Sequence, residues 1–377
     1  MEIIFWLSIF IILYCYLGYP LVLIILGLFF GKHIKKAEIM PSVSILIPVY
    51  NEEKVIQKKV ENSLSLDYPK DKLEIIVASE SDDKTDEIVK RYGDKGVKLF
   101  TYPGRGGKPY SIYRTLPKCQ GEIIVLTDAN AMFKKDALSK LVRNFADPKI
   151  GCVSGELKYK NPQGTSIGEG EGIYWKYEVW GKKLESKLQS LLGANGSIYA
   201  IRKGLYGPIS SYRGDDFDLP IRVALQGYGV VLEPEAVSEE EIYPEAFAGF
   251  KRKVVIVGWH FRGALILLKE SIKKIRPLLV FQLISHKILR WLIPFFLILI
   301  FLSNIFLLDN HFYLILFIGQ IIFYSLAIFG YLLDINGRKL NKVVNLIYYF
   351  CIVNLAALLG VIKGLFGLQK PTWEKVR

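Results

Sequence analysis

The chain has little of what staples or metallates a small fold. Its 377 residues include only 4 cysteines and 4 histidines. Cys15, Cys119, Cys152 and Cys351 are scattered without a C-x-x-C pair, which argues against a disulfide framework and a zinc site. The histidines show no metal spacing either. There is no internal repeat and no low-complexity stretch, so repeat arrays and disordered linkers are excluded. Acidic residues are in deficit, with 36 Asp and Glu against 49 Lys and Arg, a formal charge of +13.

Charge itself is missing from long stretches. None occurs between Ile3 and Gly31, and at about 1.5 Å per residue such a helix can cross a hydrocarbon core of about 30 Å. Trp291–Leu308, Phe312–Leu333 and Val343–Ile362 are also uncharged. The first segment lacks a basic start and a small-residue cleavage site, so it reads as a retained anchor and not as a cleaved leader. A chain that is 51% hydrophobic and 23% charged is therefore segregated along its length. The excess basic residues crowd beside the apolar segments: His33, Lys35 and Lys36, then Lys269, Lys273, Lys274, Arg276, Lys287 and Arg290. That placement suits membrane lipids as partners, not nucleic acid, and marks the cytoplasmic side. From Phe250 to Arg290 apolar and basic residues mix, with a break at Pro277, as in amphipathic helices lying in the interface.

The middle alternates. Val43–Tyr50, Leu73–Ala78, Val97–Tyr102 and Glu122–Thr127 read as strands. Glu53–Leu66, Thr85–Tyr92, Lys108–Leu116 and Lys135–Phe145 read as helices. This pattern predicts a doubly wound, mostly parallel α/β sheet. Ligands of such sheets collect at the carboxyl ends of strands, and the apolar run Ile123–Leu126 leads directly into Thr127-Asp128-Ala129-Asn130. A carboxylate and an amide at that spacing suit a hard divalent cation, Mg2+ or Mn2+, shared with a phosphate. A second acidic cluster follows at Gly214-Asp215-Asp216-Phe217-Asp218-Leu219.

These residues resemble the membrane-bound inverting glycosyltransferases of family 2, the cellulose-synthase-like, hyaluronan-synthase-like and poly-N-acetylglucosamine-synthase-like group. The likeness runs through Pro48-Val49-Tyr50-Asn51-Glu52, Gly106-Gly107-Lys108, Thr127–Asn130, Gly193-Ala194-Asn195-Gly196 through Arg202, Asp215–Leu219 and the terminal Trp373–Arg377. It implies a GT-A domain over residues 40–248, behind a transmembrane helix at 1–31. Interface helices at 249–290, two transmembrane helices at 291–333 and a gating tail at 369–377 complete the expected layout. Basic residues flank the segment 341–368 on both sides, so it is expected to be re-entrant or interfacial, with a fourth span as the alternative.

The resemblance also implies roles. The donor is a nucleotide sugar, with UDP as the nucleotide, held by Pro48, Tyr50, Glu52, Ser79, Glu80, Lys108, Asp128, Ala129, Arg252, Trp373 and Arg377. Ser79-Glu80-Ser81 stands where the family has an Asp for the base, with Glu80 or Asp82 as the substitute. The metal falls to Asp128 with Asn130. Asp216 is the general base and Asp215 orients the site. The saccharide or lipid-linked acceptor falls to Gly193, Asn195, Gly196, Arg202 and Asp218, with Asp218 also expected to cap a helix Leu219–Leu225. The Q-x-x-R-W signature of processive synthases is absent; Lys251-Arg252-Lys253 leading to Gly258-Trp259 is the nearest equivalent. The expected setting is the plasma membrane, with the catalytic domain in the cytosol and a role in polysaccharide or surface-glycan synthesis. Tyr174, Trp175 and Trp180 are read as packing residues in preference to sugar platforms.

Overall fold

The computed structural model describes residues 1–160, 166–207, 214–241, 246–338 and 340–368. Eight strands form one sheet: β1 (Val43–Val49), β2 (Leu73–Ser79), β3 (Val97–Thr101), β4 (Ile123–Leu126), β5 (Met132–Phe133), β6 (Ile150–Lys160), β7 (Tyr199–Arg202) and β8 (Gly229–Glu241). Their order is β3-β2-β1-β4-β7-β6-β8-β5. β1 pairs in parallel with both β2 and β4, and β7 runs antiparallel between β4 and β6. Every residue of β1 is buried, as expected of a central strand covered on both faces. Pro48 is tolerated there because β4 stops pairing at Leu46, so β1 has outrun that neighbour.

Alternation along the strands sends side chains into two apolar cores. Ile45, Ile47 and Val125 pack on one face with Ile56, Val60, Leu138 and Leu141 from the covering helices. Leu46, Ile124 and Leu126 face the other way, toward Ile112, Leu219, Ala264, Leu267, Leu279 and Leu283. The last four come from the helices Ala246–Lys273 and Pro277–Ile305, so these two helices share a core with the sheet.

Among the described residues four helices are long and apolar enough to cross a membrane: Glu2–Phe30, Pro277–Ile305, His311–Ile335 and Lys342–Leu365. The second begins at Pro277, well ahead of the expected Trp291. Lys287 and Arg290 do not interrupt it: a π-helical turn at Leu283–Ile288 runs directly into the α-helix from Leu289, and Arg290 is paired with Glu178. Phe5 packs edge-on against Tyr313 at 5.4 Å, and the Trp6 indole donates to the Tyr313 hydroxyl at 3.1 Å. The amino end of the first helix therefore sits beside the amino end of His311–Ile335, while its other end meets the domain, where the Lys32 amide donates to the Lys187 carbonyl at 2.9 Å. The last helix is unbroken. Its first turns face Gly330, and Tyr348 donates to Asp334 at 3.0 Å. Its final turns lie on Ala246–Lys273, where a Cβ on Gly364 would stand 2.7 Å from the Gly258 carbonyl.

Several boundaries differ from expectation. The first sheet-covering helix is Ile56–Leu64, and Lys135–Phe145 shortens to Ala137–Val142 followed by a 3-10 turn. The helix after the acidic cluster starts at Asp215, not Leu219, with Gly214 as its N-cap. Its first turn holds Asp215, Asp216 and Asp218, a charge placement the helix dipole favours. Asp218 is thus inside the helix and caps nothing.

Candidate active site

The site forms where β4 ends. Thr127 donates to the Ser197 carbonyl at 2.7 Å and turns the chain outward. Beneath the turn lies Lys59, fully buried, its ammonium donating to Thr127 Oγ1 at 2.9 Å and to the Ala131 carbonyl at 2.5 Å. Burial pushes the Lys59 amine down to about 7, against the pull of Asp128 and Glu240. Both ends of the turn that carries Asp128, Ala129 and Asn130 are therefore pinned by one side chain. Ala129 is buried, while Asp128 and Asn130 are half-buried.

Lys108 opens the helix Lys108–Thr115, preceded by Gly107 at φ 89°, a backbone conformation that favours glycine. Its ammonium lies 2.8 Å from Asp128 Oδ1 and 3.4 Å from Asp215 Oδ1. Burial works against that charge, but Asp128, Asp215 and Asp216 outweigh it and hold the amine above the ordinary lysine range. Asp215 is buried and accepts from the Tyr199 hydroxyl at 2.6 Å. Burial raises its carboxyl above the usual carboxylate range, with Lys108 opposing.

Asp216 divides its two oxygens. Oδ1 lies 3.7 Å from Nε2 of His260, and Oδ2 faces Gly196, where an added Cβ would be 3.2 Å away. Burial would push the Asp216 carboxyl up, but His260, Lys108 and Lys182 prevail and hold it at about 2. The loop facing Asp216 is anchored by a defect in the helix. Pro220 lacks the N–H that would bond to the carbonyl of Asp216, and the Ala194 amide takes that carbonyl at 2.7 Å.

Asp128, Lys108, Asp215, Asp216, Gly193 and Gly196 thus meet around one point, though they were read from four separate motifs. Other candidates are committed elsewhere. Arg202 pairs in register with Ile123, at the start of β4 and so at the opposite end from Asp128. Its guanidinium donates to the carbonyls of Ile150 at 2.8 Å, Phe145 at 2.8 Å and Asp147 at 3.1 Å, so it braces the loop before β6 and lies away from the acceptor loop. Asp218 is buried and accepts from Arg222 at 2.6 Å. Asn195 is buried too: it donates to the Gly155 carbonyl at 2.5 Å and accepts from Lys182 at 2.7 Å, so it shapes its loop from within.

On the donor side, Glu80 accepts from the Gly107 amide at 2.9 Å and from the Ser111 hydroxyl at 2.8 Å. That carboxylate clamps the turn before Lys108. Ser79 accepts from the Ser81 amide at 3.1 Å, and the Glu52 amide donates to Thr85 at 2.8 Å. Pro48 is buried in β1, and Tyr50 lies under the Arg105 guanidinium at 4.4 Å. Arg252 is exposed near the start of Ala246–Lys273. Trp373 and Arg377 lie outside the described residues. The Trp175 indole donates to the Leu157 carbonyl at 2.9 Å, in keeping with packing.

Sequence reading missed Tyr199, Lys59 and His260. Tyr199 stands in the quoted loop-and-strand stretch, and His260 directly follows Trp259, but nothing in their spacing points to the carboxylates. Lys59 reads as one more polar position on an amphipathic helix.

Among the described residues no three His, Cys, Asp or Glu side chains group as a ready metal cage. The donor set nonetheless fits a hard cation that brings its own water and phosphate ligands. Asp128 is partly open, Asn130 adds an amide oxygen, and a cationic ammonium already sits between Asp128 and Asp215.

With this geometry in view, residues 44–206 match the model of glycosyl transferase family 2. The chain therefore carries a family 2 glycosyltransferase domain of the GT-A type, and the four candidate spans are built onto it. It is 31% identical over 217 residues to a probable glycosyltransferase, YdaM, of Bacillus subtilis (strain 168), covering 54% of this chain and 51% of that protein. It is 30% identical over 213 residues to a beta-monoglucosyldiacylglycerol synthase of Trichormus variabilis (strain ATCC 29413 / PCC 7937), covering 54% and 46%. The chain spans about half the length of these curated relatives. The fold matches along nearly its whole length the mannosyltransferase PcManGT of Pyrobaculum calidifontis, solved with GDP-Man and Mn2+: TM-score 0.73, 20% identity, 97% of this chain and 99% of that one.

Proposed function

We propose that the protein transfers a sugar from a nucleotide donor, UDP-linked, to a saccharide or lipid acceptor at the cytosolic face of the plasma membrane, with inversion at the anomeric carbon. The observation that carries this reading is the division of labour around Lys108. A cationic group held by Asp128 and Asp215 stands on one side, and the half-engaged carboxylate of Asp216 on the other.

Departure of a nucleoside diphosphate leaves growing negative charge, and a fixed cation stabilises it where it develops. Lys108 supplies that charge at the start of its helix. Asp128 with Asn130 would hold Mg2+ or Mn2+, which when bound adds further charge neutralisation at the diphosphate. Asp216 Oδ2 accepts the proton of the attacking hydroxyl as that oxygen displaces the diphosphate. Asp215, locked by Tyr199 and Lys108, keeps Lys108 aimed. A single direct displacement inverts the configuration.

The acceptor reaches the site from the membrane side, because His260 and Trp291, both from membrane-proximal helices, stand behind Asp216. The alternative of one addition to a polyprenyl-phosphate-linked acceptor is favoured by Gly258, the residue before Trp259. A processive signature would carry an arginine there, and the last helix packs close against this glycine, where a Cβ on Gly364 would stand 2.7 Å from the Gly258 carbonyl. The first turns of that last helix pack on the end of His311–Ile335 and its final turns on Ala246–Lys273, which supports an interfacial or re-entrant course.

The test is release of nucleoside diphosphate by the purified full-length protein in lipid nanodiscs, offered a panel of sugar nucleotides with Mg2+ or Mn2+. Release that depends on one donor and rises with a lipid or saccharide acceptor is expected. No release from any donor sinks the proposal. Product length separates single addition from polymerisation.

A further inference from the structure

Asp216 is approached from behind by a residue of a different element. His260 lies on Ala246–Lys273, which packs against the sheet through Ala264 and Leu267. Its ring stacks on Phe217 at 4.8 Å and 23°, and Trp291 of the next helix packs against both rings, 6.3 Å from His260 and 6.0 Å from Phe217. The imidazole is only 17% exposed and Nε2 points at Asp216 Oδ1, 3.7 Å away. The backbone has made space for this approach. A Cβ on Gly214, the N-cap of the helix carrying Asp216, would stand 2.5 Å from His260 Nε2.

We propose that His260 is the positioning residue of the base. Its Nε2–H holds Oδ1 of Asp216, so that Oδ2 is the oxygen presented to the acceptor hydroxyl. The proposal rests on Asp216 being the base. A carboxylate with one oxygen tethered cannot swing toward Lys108 and be spent in an ion pair there, which free rotation would otherwise allow. Separations at catalytic hydrogen bonds are often long before substrate arrives and close in the complex. The low carboxyl of Asp216, held at about 2, fits a partner that favours the ionised form. Because His260 is seated by Phe217 and Trp291, the membrane-proximal helices set the aim of the base, and docking of those helices becomes a condition for turnover.

The experiment uses the full-length protein in nanodiscs, with the donor and acceptor found above, and a double-mutant cycle. His260→Ala should lower kcat about ten- to hundredfold, the usual effect of removing a hydrogen bond to a charged group, with donor KM and nucleoside diphosphate affinity unchanged. His260→Gln, whose amide N–H reaches the same position, should restore most of that loss. In an Asp216→Asn background, His260→Ala should cost less than about twofold, since the carboxylate it positions is gone. Three results overturn the inference: unchanged turnover in His260→Ala, the same loss in both backgrounds, or a parallel loss of nucleotide affinity. Full transfer by Asp216→Asn alone would instead overturn the assignment of the base.

Discussion

The ammonium of Lys108 stands 2.8 Å from the carboxylate of Asp128, and the same nitrogen is 3.4 Å from Asp215. Three motifs that lie far apart along the chain meet there, and the charge they enclose suits a diphosphate better than a neutral sugar. Lys108→Met should therefore weaken nucleoside diphosphate binding by about tenfold or more, since charge-assisted contacts to phosphate are the strong ones. Binding of the matching nucleoside, which has no phosphate, should not change. Calorimetric titration of both ligands checks this, and equal losses for the two would remove Lys108 from the phosphate site.

Asp128 and Asp216 carry different tasks. Asp128→Ala should lower both metal-dependent nucleotide affinity and transfer. Asp216→Asn keeps shape and charge-free hydrogen bonding, so nucleotide affinity should survive while transfer falls about 10²–10⁴-fold. If the Asn variant loses nucleotide affinity as badly as Asp128→Ala, Asp215 becomes the candidate base.

Pro220 earns a separate test because it frees the Asp216 carbonyl for the Ala194 amide. Pro220→Ala restores an N–H that competes for that carbonyl. The helix should be no less stable, yet acceptor KM should rise as the Gly193–Gly196 loop loosens. A variant with unchanged acceptor KM would show that the loop is held by its other contacts.

Lys59 makes stability depend on pH. Its folded value, about 7, lies below the ordinary value of 10.5. Between the two, the unfolded chain binds the proton and the folded chain does not, so stability rises with pH across that window, by up to about 1.4 kcal/mol per unit. Below pH 7 both states are protonated and the charged, buried amine is a constant cost. Thermal midpoints should climb from pH 7 toward 9.5 more steeply than in Lys59→Met. Parallel curves for the two proteins would contradict it.

The final helix should couple packing to turnover. Gly364→Val places side-chain atoms against the Gly258 carbonyl, 2.7 Å from the Cβ position. Backbones that close cannot separate without moving the helix, so activity should fall together with that of Trp373→Ala and Arg377→Ala. If Gly364→Val stays fully active, the helix is only an anchor. An impermeant label reacting with a cysteine at Lys375 in intact cells would argue for a fourth crossing.

The strands and the uncharged segments were legible in the chain because each is a local matter. β1 and β4 are continuous apolar runs, and a helix with no charge over that length has few places to go but a membrane. The strand-end carboxylate Asp128 was legible for the same reason: the switch from apolar to polar residues marks where the sheet stops. Boundaries slipped where two requirements competed. The helix after Gly214 begins at Asp215 because three carboxylates gain from the helix dipole, whereas the expected start at Leu219 followed only the apolar pattern.

Which carboxylates and amides were free to act was not written locally at all. Glu80, Arg202, Asn195 and Asp218 have the right chemistry and lie in or beside the right motifs. Each is taken by partners that only folding brings within reach: the Gly107 amide, three carbonyls near β6, Lys182 and Arg222. His260 and Tyr199 went unread for the converse reason, since their value lies entirely in what stands opposite them. Local sequence determined the sheet, the helices with their apolar faces and the residue types available for catalysis, because periodicity and hydrophobicity act over a few neighbours. Tertiary structure alone decided which of those polar groups spend their hydrogen bonds on the fold and which keep one for a substrate, because a buried polar group must be satisfied by whatever the packed chain places beside it.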